Sequence, residues 1–381
     1  MDIEYAKPIN QAAKDGNLDL LISLQQQTHL IDRFTVLEAA KGGHLNILQY
    51  LQDGNFITKK GLQKLVISLL ARGGYLSTLQ YFYERGFPLD DKATQYAALN
   101  GHLECLQYLH QNGCPWDESA TKNASQNGHL DCLQYLHENG CPWDEMATAY
   151  AAFNGHLTCL QYLHRHGCPW DTQTTLHAAT SGKIDCLKYA FENRCPYERV
   201  IIRDAAQNGH LDCIKYLHQK GCPWDEHMTY LAAKGGYLNC LQYLHENGCP
   251  WDREAVWFAV YHLDCLQYLH ETGCQLDEEA AANAANYGLL DALEYLIKNN
   301  APYDPQEILE YLDSHWLDMD QKPWLRDFLF PHIDSEIMPQ ELNELCKEKL
   351  AQINLEKQTT QDELSDTLSV DVVKHCLHSY I

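Results

Sequence analysis

The sequence predicts an all-α solenoid, in which short two-helix units stack one on the next. Three observations lead to this prediction. A tripeptide of the form Gly-His-Leu returns about every 27 residues, most of the 16 cysteines return at the same interval, and the apolar residues between these markers follow the 3.6-residue period of a helix. No segment shows the alternation of apolar and polar residues that a half-exposed strand would have.

A glycine, which we call the anchor glycine, opens the tripeptide of each unit. Most steps between successive anchors are 27 residues, with one step of 31 before Gly74 and one of 25 before Tyr261, which once takes the place of the glycine. About eleven units result, and they place the repeat domain at residues 1–304. The anchor glycines are Gly16, Gly43, Gly74, Gly101, Gly128, Gly155, Gly182, Gly209, Gly236 and Gly288.

Residues 144–170 show the organisation of one unit most clearly. Asp144 is placed to cap a first helix, which ends at the Asn-Gly pair that contains Gly155. A second helix is predicted over residues 157–164, and Gly167 ends it. A Cys-Pro-Trp turn then leads to the aspartate that caps the next unit.

Fourteen cysteines form seven pairs, with nine positions between the two members of each pair. The set Cys105, His110 and Cys114 suggests zinc, but Cys105 and His110 stand about 140° apart around one helix axis and point in different directions. We interpret Cys105 as a small core residue, Cys114 as a turn residue and His110 as partly exposed. A repeat protein this rich in cysteine suits a reducing cytosol, so neither disulfides nor a metal or other cofactor are predicted.

Five tryptophans recur in the Cys-Pro-Trp turns. A stacking ladder for a ligand is one interpretation, but Leu89, Tyr197, Leu276 and Tyr303 stand in the same slot of other units. This exchange favours packing against the neighbouring unit. The tryptophans are Trp116, Trp143, Trp170, Trp224 and Trp251.

One face of the first helix varies between units while its neighbours stay constant. Alanine stands four positions before the anchor in most units, and threonine is frequent seven positions before it. The positions 9, 6, 5 and 2 before the anchor change freely and form one helical face, the first-helix stripe. We predict that this stripe is the solvent-facing inner wall that meets a protein partner, with neutral drift as the alternative. The predicted partner-binding residues are Met146, Tyr150, Phe153, His177, Arg203, Tyr230 and Trp257.

The 25-residue step removes the Asn-Gly pair that normally joins the two helices of a unit. Val260 runs directly into Tyr261. We therefore expect a local kink there, with Trp257 and Phe258 displaced from the regular stripe.

Composition limits the function. The formal charge is −24, which disfavours nucleic acid as a partner. The longest nearly unbroken apolar stretch, residues 65–71, is too short to span a membrane, and residues 1–10 lack the apolar core of a secretory signal. No phosphate loop, nucleotide-binding glycine motif or zinc-protease motif is present. We expect a cytoplasmic, monomeric protein without catalytic residues.

The repeated segment resembles the ankyrin repeat. Residues 151–163 read Ala-Ala-Phe-Asn-Gly-His-Leu-Thr-Cys-Leu-Gln-Tyr-Leu, similar to the Ala-Ala-x-x-Gly-His and aliphatic helix of that family, with Cys132 and Cys141 in slots that the family fills with Val and Ala. Ankyrin units are about 33 residues long, and here a Cys-Pro-Trp-Asp turn replaces most of the β-hairpin finger. This short form is similar to ankyrin proteins of amoeba-infecting giant viruses and other amoeba-associated genomes. The resemblance covers residues 6–304 and implies a scaffold that binds a protein through its concave face.

Residues 305–381 carry 16 acids and 6 bases and are predicted to form an acidic helical segment that caps the last repeat. The last residues resemble the start of an F-box, which implies docking to Skp1 and a cullin ubiquitin ligase and makes a ligase adaptor the alternative function. An enzyme with chemistry at Cys346, His375 or Cys376 is the second alternative. The predicted docking residues are Leu368, Val372, Val373, Leu377 and Ile381.

Overall fold

The computed structural model describes residues 3–28, 30–251 and 253–304. These residues form 22 α-helices and no strand, which confirms the predicted all-helical class. The chain divides into two compact units, Met1–Pro223 and Trp224–Ile381. The first contains α1 (Ile3–Lys14), α2 (Leu18–Thr28), α3 (Arg33–Lys41), α4 (Leu45–Asp53), α5 (Lys60–Gly73), α6 (Leu76–Glu84), α7 (Asp91–Leu99), α8 (Leu103–Gln111), α9 (Glu118–Gln126), α10 (Leu130–Glu138), α11 (Glu145–Asn154), α12 (Leu157–Arg165), α13 (Thr172–Thr180), α14 (Ile184–Glu192), α15 (Ile201–Gln207) and α16 (Leu211–Gln219). The second contains α17 (His227–Lys234), α18 (Leu238–Glu246), α19 (Arg253–Ala259), α20 (Leu263–Glu271), α21 (Glu278–Asn286) and α22 (Leu290–Lys298).

The helices pair as predicted, one pair for each repeat. In each compact unit, first helices pack on the first helices of the adjacent repeats, as α9, α11 and α13 do. Second helices likewise pack on second helices, as α10, α12 and α14 do. The repeats therefore form two helical layers, with the core between them and between successive pairs.

Local side-chain contacts fix where each first helix begins. The carboxylate of Asp144 accepts a hydrogen bond from the Met146 amide at 3.1 Å, which confirms its predicted role as a cap. The hydroxyl oxygen of Thr148 lies 3.2 Å from the Pro169 carbonyl oxygen, and the Cys168 thiol donates to the Asp144 carbonyl oxygen at 3.3 Å. The turn that ends a repeat is thereby tied to the start of its first helix. The same threonine-to-proline contact joins Thr94 to Pro115, Thr121 to Pro142, Thr175 to Pro196 and Thr229 to Pro250.

The core is built from small residues on the first helices and larger ones on the second. Ala151 and Ala152 are fully buried, and so are Cys159, Leu160 and Leu163. The buried alanines let first helices pack closely, while the leucines fill the space between the layers. The helix-borne cysteines are thus core residues, as predicted.

A ring on most repeats lies directly over the anchor glycine of the preceding repeat, with Lys183 in this place over Gly155. Gly74 has φ of +74°, and a Cβ atom added to it would lie 2.6 Å from Nδ1 of His102. The same imidazole donates its Nε2 hydrogen to the Arg72 carbonyl oxygen at 3.0 Å. Glycine is therefore required both for the left-handed backbone and for the close approach of the ring. The equivalent bonds run from His44 to Lys14, from His129 to Leu99 and from His210 to Thr180.

The irregular repeat at Tyr261 lacks the anchor glycine, and the repeat after it lacks the ring that would lie over that glycine. Helix α19 has only seven residues, and the His262 amide bonds to the Ala259 carbonyl oxygen in a tight turn at 2.8 Å. The next repeat has Leu289 where most repeats have histidine, and the rings of Tyr261 and Tyr287 lie 5.1 Å apart. Loss of the anchor glycine is thus accompanied by loss of the ring that needs it. The expected kink at this step stays a prediction.

A second set of contacts links the second helices. Nδ1 of His110 lies 2.9 Å from the hydroxyl oxygen of Tyr135 in the next repeat, and the His110 ring stacks on Trp116 at 3.9 Å. Trp116 in turn meets Tyr135 edge-on at 6.3 Å, as its predicted packing role requires. The same histidine–tyrosine bond joins His137 to Tyr162, His164 to Tyr189, His245 to Tyr268 and His270 to Tyr295.

This ladder is interrupted between α14 and α16. Phe191 stands where the repeats on either side have histidine, and Tyr197 replaces the tryptophan, with the two rings 4.6 Å apart. The next tyrosine, Tyr216, is buried, and its hydroxyl has no hydrogen-bond partner. Helix α15 also begins without a side-chain cap. This junction therefore lacks the histidine–tyrosine bond and the side-chain cap that are present just before it in the chain.

Two glycines of the same repeat, Gly74 and Gly86, form a matched pair that tests the contact between an anchor glycine and the ring over it. Gly86 has φ of +86°, but a methyl group added there would meet open space, so Gly86→Ala should cost only the left-handed strain of about 1–2 kcal/mol. Gly74→Ala should cost about 1–2 kcal/mol more, since it also displaces His102 and breaks its bond. Chemical denaturation of both variants measures the difference, and equal losses would contradict the role of the ring.

The interrupted ladder predicts a stabilising substitution. Phe191→His should stabilise the protein by about 1 kcal/mol, because the imidazole would pair with the buried Tyr216 hydroxyl. Chemical denaturation with and without Tyr216→Phe forms a double-mutant cycle. The gain should disappear in the Tyr216→Phe background, and a gain that persists there would show that the hydroxyl is not its source.

Candidate protein-binding surface

The first-helix stripe lies on the side of each first helix that faces away from the core. In α11, Ala147, Thr148 and Ala151 are fully buried, whereas Phe153 is 44% exposed. One stripe position departs from the prediction, since Ala149 is fully buried against the neighbouring helix layer. Its small side chain does not reach past its neighbours to solvent. Of the other predicted binding residues, the structure half-buries Met146, Tyr150, His177, Arg203, Tyr230 and Trp257.

Three of the predicted residues meet in one group of rings. His177 on α13 lies 5.6 Å from Phe153 and 6.2 Å from Tyr150, both on α11. The ammonium of Lys122 on α9 stands 6.0 Å from the Tyr150 ring. We call these four residues the Tyr150 cluster. It spans three successive repeats of the first compact unit and combines apolar ring area with a cation.

The histidine of this cluster retains an unused hydrogen-bonding atom. Nδ1 of His177 is enclosed and has no hydrogen-bond partner. A buried imidazole nitrogen without a partner costs free energy in the isolated protein. Because this atom is enclosed, the accessible part of the Tyr150 cluster consists of the ring faces and the Lys122 ammonium.

A second group of rings lies in the second compact unit. The rings of Tyr230 and Phe258 are 5.3 Å apart, His227 lies 5.7 Å from Tyr230, and the ammonium of Lys234 lies 4.8 Å from the Phe258 ring. We call these residues the Tyr230 cluster. Like the first cluster, it combines rings of adjacent first helices with a lysine.

Trp257 has a structural contact that the sequence did not indicate. Its indole nitrogen donates to both carboxylate oxygens of Asp277, at 2.9 and 2.8 Å. Asp277 also accepts from the Ala280 amide and so caps α21. Gln95 makes a similar contact to the cap Asp117 at 3.3 Å, so this stripe position can support the next repeat.

The remaining predicted residues stand apart from these clusters. Met146 lies at the start of α11, and Arg203 lies on α15 next to Asp204. Burial raises the pKa of the Asp204 carboxyl, as does Glu198, while Arg203 lowers it. The C-terminal segment, including the docking residues Leu368, Val372, Val373, Leu377 and Ile381 and the candidates Cys346, His375 and Cys376, lies outside the described residues.

The zinc candidates are engaged in other contacts. Cys105 is enclosed in the core, the Cys114 thiol donates to the Asp90 carbonyl oxygen at 3.1 Å, and His110 bonds to Tyr135. Within residues 3–28, 30–251 and 253–304, no group of three histidine, cysteine or acidic residues is arranged to hold a metal ion. The 14 cysteines that the structure describes are free thiols. No helix in the described part of the chain is long and apolar enough to cross a membrane.

Burial keeps these thiols protonated. Desolvation, helped by Asp131, raises the pKa of Cys132 from 9.0 to about 12. In the turns, desolvation and then Asp117 raise the pKa of Cys141 to about 12. A protonated, enclosed thiol is a poor nucleophile and a poor metal ligand. The cysteines therefore serve packing and backbone hydrogen bonds.

The raised pKa values predict loss of stability in alkali. Unfolded thiols ionise near pH 9 while the folded ones do not, so stability is full below about pH 9 and falls as the pH rises toward 12, by up to about 1.4 kcal/mol per thiol and pH unit. Denaturation midpoints between pH 7 and 11 measure this slope. A Cys132→Val/Cys159→Val variant should show a shallower slope, and an unchanged slope would contradict the assignment to the thiols.

Comparison with known proteins identifies the repeats. A family model described as ankyrin repeats (3 copies) matches residues 121–200, 148–227 and 202–280, and one described as ankyrin repeats (many copies) matches residues 94–137. No curated protein sequence matches this chain. Among solved structures, the human ASB11 ankyrin repeat domain is 20% identical, with a TM-score of 0.37 over 41% of this chain and 84% of that one.

A further solved structure is the pentatricopeptide repeat protein PPR10, solved with an 18-nt psaJ RNA element. It is 11% identical, with a TM-score of 0.41 over 98% of this chain and 62% of that one.

The family models agree with the helix pairs, the anchor glycines and the Ala-Ala core positions of residues 94–280. Residues 94–280 carry ankyrin repeats, and the described residues form an ankyrin-type helical solenoid.

Proposed function

We propose that this protein is a non-enzymatic scaffold that holds a protein partner on the first-helix stripe. The observation that carries the proposal is the Tyr150 cluster, where ring side chains of α11 and α13 meet on the side facing away from the core. Phe153, 44% exposed, gives this cluster an accessible apolar face.

The chemistry of the cluster suits an interface anchor. Aromatic side chains give large contact areas and lose few rotamers on binding, which is why they dominate the energetics of protein interfaces. The Lys122 ammonium beside the Tyr150 ring adds a cation to this apolar surface. The Tyr230 cluster offers a second surface of the same composition in the other compact unit.

The division of labour among first-helix positions supports the same function. Threonine and alanine positions such as Thr148 and Ala151 are fully buried and bind or pack within the repeat. The stripe positions make fewer such contacts and differ from repeat to repeat. Surface that is free to vary on a rigid scaffold is where a partner can be selected.

The proposal also includes the compartment in which the partner is sought and the alternative function as a ligase adaptor. The short Cys-Pro-Trp-Asp repeat resembles proteins of amoebal giant viruses, and the many reduced thiols suit a cytosol, so we propose the amoebal cytosol as the place to seek the partner. A ligase adaptor would use residues 368–381 to hold Skp1, and its support is the F-box resemblance of those residues alone. It is therefore an outcome to be distinguished by experiment.

Affinity capture tests the proposal, with the full-length protein as bait in amoebal lysate and quantitative mass spectrometry as readout. Tyr150→Ala/Phe153→Ala should lower partner recovery at least tenfold, since truncation of interface anchors typically costs about 2 kcal/mol or more. Purified partner and bait would then give the affinity directly by calorimetry.

Two further baits serve as controls. Leu20→Ala removes a similarly exposed apolar side chain, 46% accessible, from a second helix, and it should leave recovery unchanged. Leu377→Asp/Ile381→Asp should affect only Skp1 and cullin if these are bound at all. A partner that is retained by the Tyr150→Ala/Phe153→Ala bait and lost with Leu20→Ala would refute binding by the stripe.

A further inference from the structure

Positive charge is concentrated on the first helices of the first three repeats, in a chain of net charge −24. From residue 8 onward, α1, α3 and α5 carry six bases and one acid, Glu38, a net of +5. The partner second helices α2, α4 and α6 carry three acids and no base. The charges are thus segregated to opposite layers. The bases are Lys14, Arg33, Lys41, Lys60, Lys64 and Arg72.

Three of these bases occupy the same position in successive repeats. Lys14, Lys41 and Arg72 each stand two residues before an anchor glycine, at the last turn of their helices, and all three are exposed. Because α1 packs on α3 and α3 on α5, the three cations form a row, with about 9 Å between the axes of neighbouring helices.

Exposed apolar residues accompany this row. Phe34 and Leu65, each nine residues before an anchor glycine, are 50% and 37% exposed. We call Lys14, Phe34, Lys41, Leu65 and Arg72 the basic face. It presents two large apolar side chains and three cations on one side of three adjacent helices.

The helix dipole alone does not account for the row. A base in the last turn is favoured by the negative end of any helix, yet the same position holds no base in the next five repeats. Those residues are Leu99, Gln126, Phe153, Thr180 and Gln207.

Nearby acids neutralise the row only in part. The Asp32 carboxylate accepts hydrogen bonds from the Phe34 and Thr35 amides at 2.8 and 3.0 Å, so it is committed to capping α3. Glu38 pairs with Lys41 at 2.6 Å, and this pair is partly exposed. Asp15 follows Lys14 in the chain. The six bases of the three helices therefore outnumber these acids.

We propose that the basic face binds an extended acidic segment of a protein partner, with carboxylates at every third residue. In the polyproline II conformation three residues make one turn and rise about 9 Å, so every third carboxylate lies on the same side of the segment, at the spacing of the three cations. Apolar side chains between the carboxylates would pack on Phe34 and Leu65. This inference rests on the proposed function, because it assigns partner chemistry to the same stripe, but it uses different repeats.

A protein segment fits this face better than a nucleic acid. The exposed apolar side chains of Phe34 and Leu65 offer contacts to side chains but not to phosphates. A long phosphate strand would also extend over the acidic remainder of the chain, whose net charge repels it.

Fluorescence anisotropy with the full-length protein tests the proposal. The probe is a labelled 12-residue peptide made of four Glu-Val-Thr triplets, compared with a peptide of the same composition whose four glutamates are contiguous. Lys41→Gln and Arg72→Gln should each weaken binding of the regular peptide about two- to fivefold, and salt should weaken it further. Arg165→Gln, which removes an exposed base from the last turn of the second helix α12, is the matched control and should have no effect.

Three results with the peptides would overturn the proposal. They are absence of binding by the regular peptide, equal binding by the contiguous peptide, and equal loss with Arg165→Gln. Tighter binding by a 12-nucleotide oligouridine that is lost in Lys41→Gln would also overturn it, in favour of nucleic acid. Tyr150→Ala/Phe153→Ala should bind the regular peptide normally, so failure of the Tyr150 cluster as an anchor and failure of the basic face give different results.

Discussion

The register between successive repeats depends on the contact of a ring with a glycine. A two-helix unit cannot bury its apolar side alone, so each repeat must sit at one fixed place on the previous one. The left-handed glycine ends the first helix, and its missing side chain admits the ring that bonds to the carbonyl two residues earlier, as in Gly74, His102 and Arg72. One contact thus joins a helix end, the connecting turn and the next repeat, which explains why the anchor position varies so little.

Because a few positions fix how successive repeats pack, the other positions are free to vary in sequence. Thr148 binds the closing turn, Ala151 sets the helix spacing, and the turn cysteine Cys168 bonds to the backbone of the helix start. Because these residues carry the packing, substitutions on the stripe alter the surface with small effects on the core. Rings of adjacent repeats can gather there, as Tyr150 and His177 do. The constancy of the fold and the variability of its surface have the same physical origin.

The sequence predicted the helices well because their boundaries depend on local chemistry. Asp144 as cap and Gly155 as the end of α11 are visible within a few residues, and helical periodicity identifies the buried Cys159. Contacts between residues 20 to 30 positions apart were missed, including the histidine–tyrosine bonds and the bond from Trp257 to Asp277. The only sign of such contacts in the sequence is that two residues far apart in the repeat pattern depart from it together. Tyr261 changes together with Leu289, and the ladder residue Phe191 changes together with Tyr197 in the adjoining turn.

The two proposed surfaces lie on the same layer of the first compact unit and together constrain a partner. From α5 to α11 there are three helix steps, on the order of 30 Å, which an extended chain covers with about nine residues. A partner that places an acidic stretch on the basic face can therefore reach the Tyr150 cluster with an apolar residue about nine positions further along. Each exposed charge pair is weak and sensitive to salt, whereas the buried ring contact is neither. Joined in one chain, the weak contact raises the local concentration of the strong one, so charge would set the direction of the partner and the rings most of its affinity.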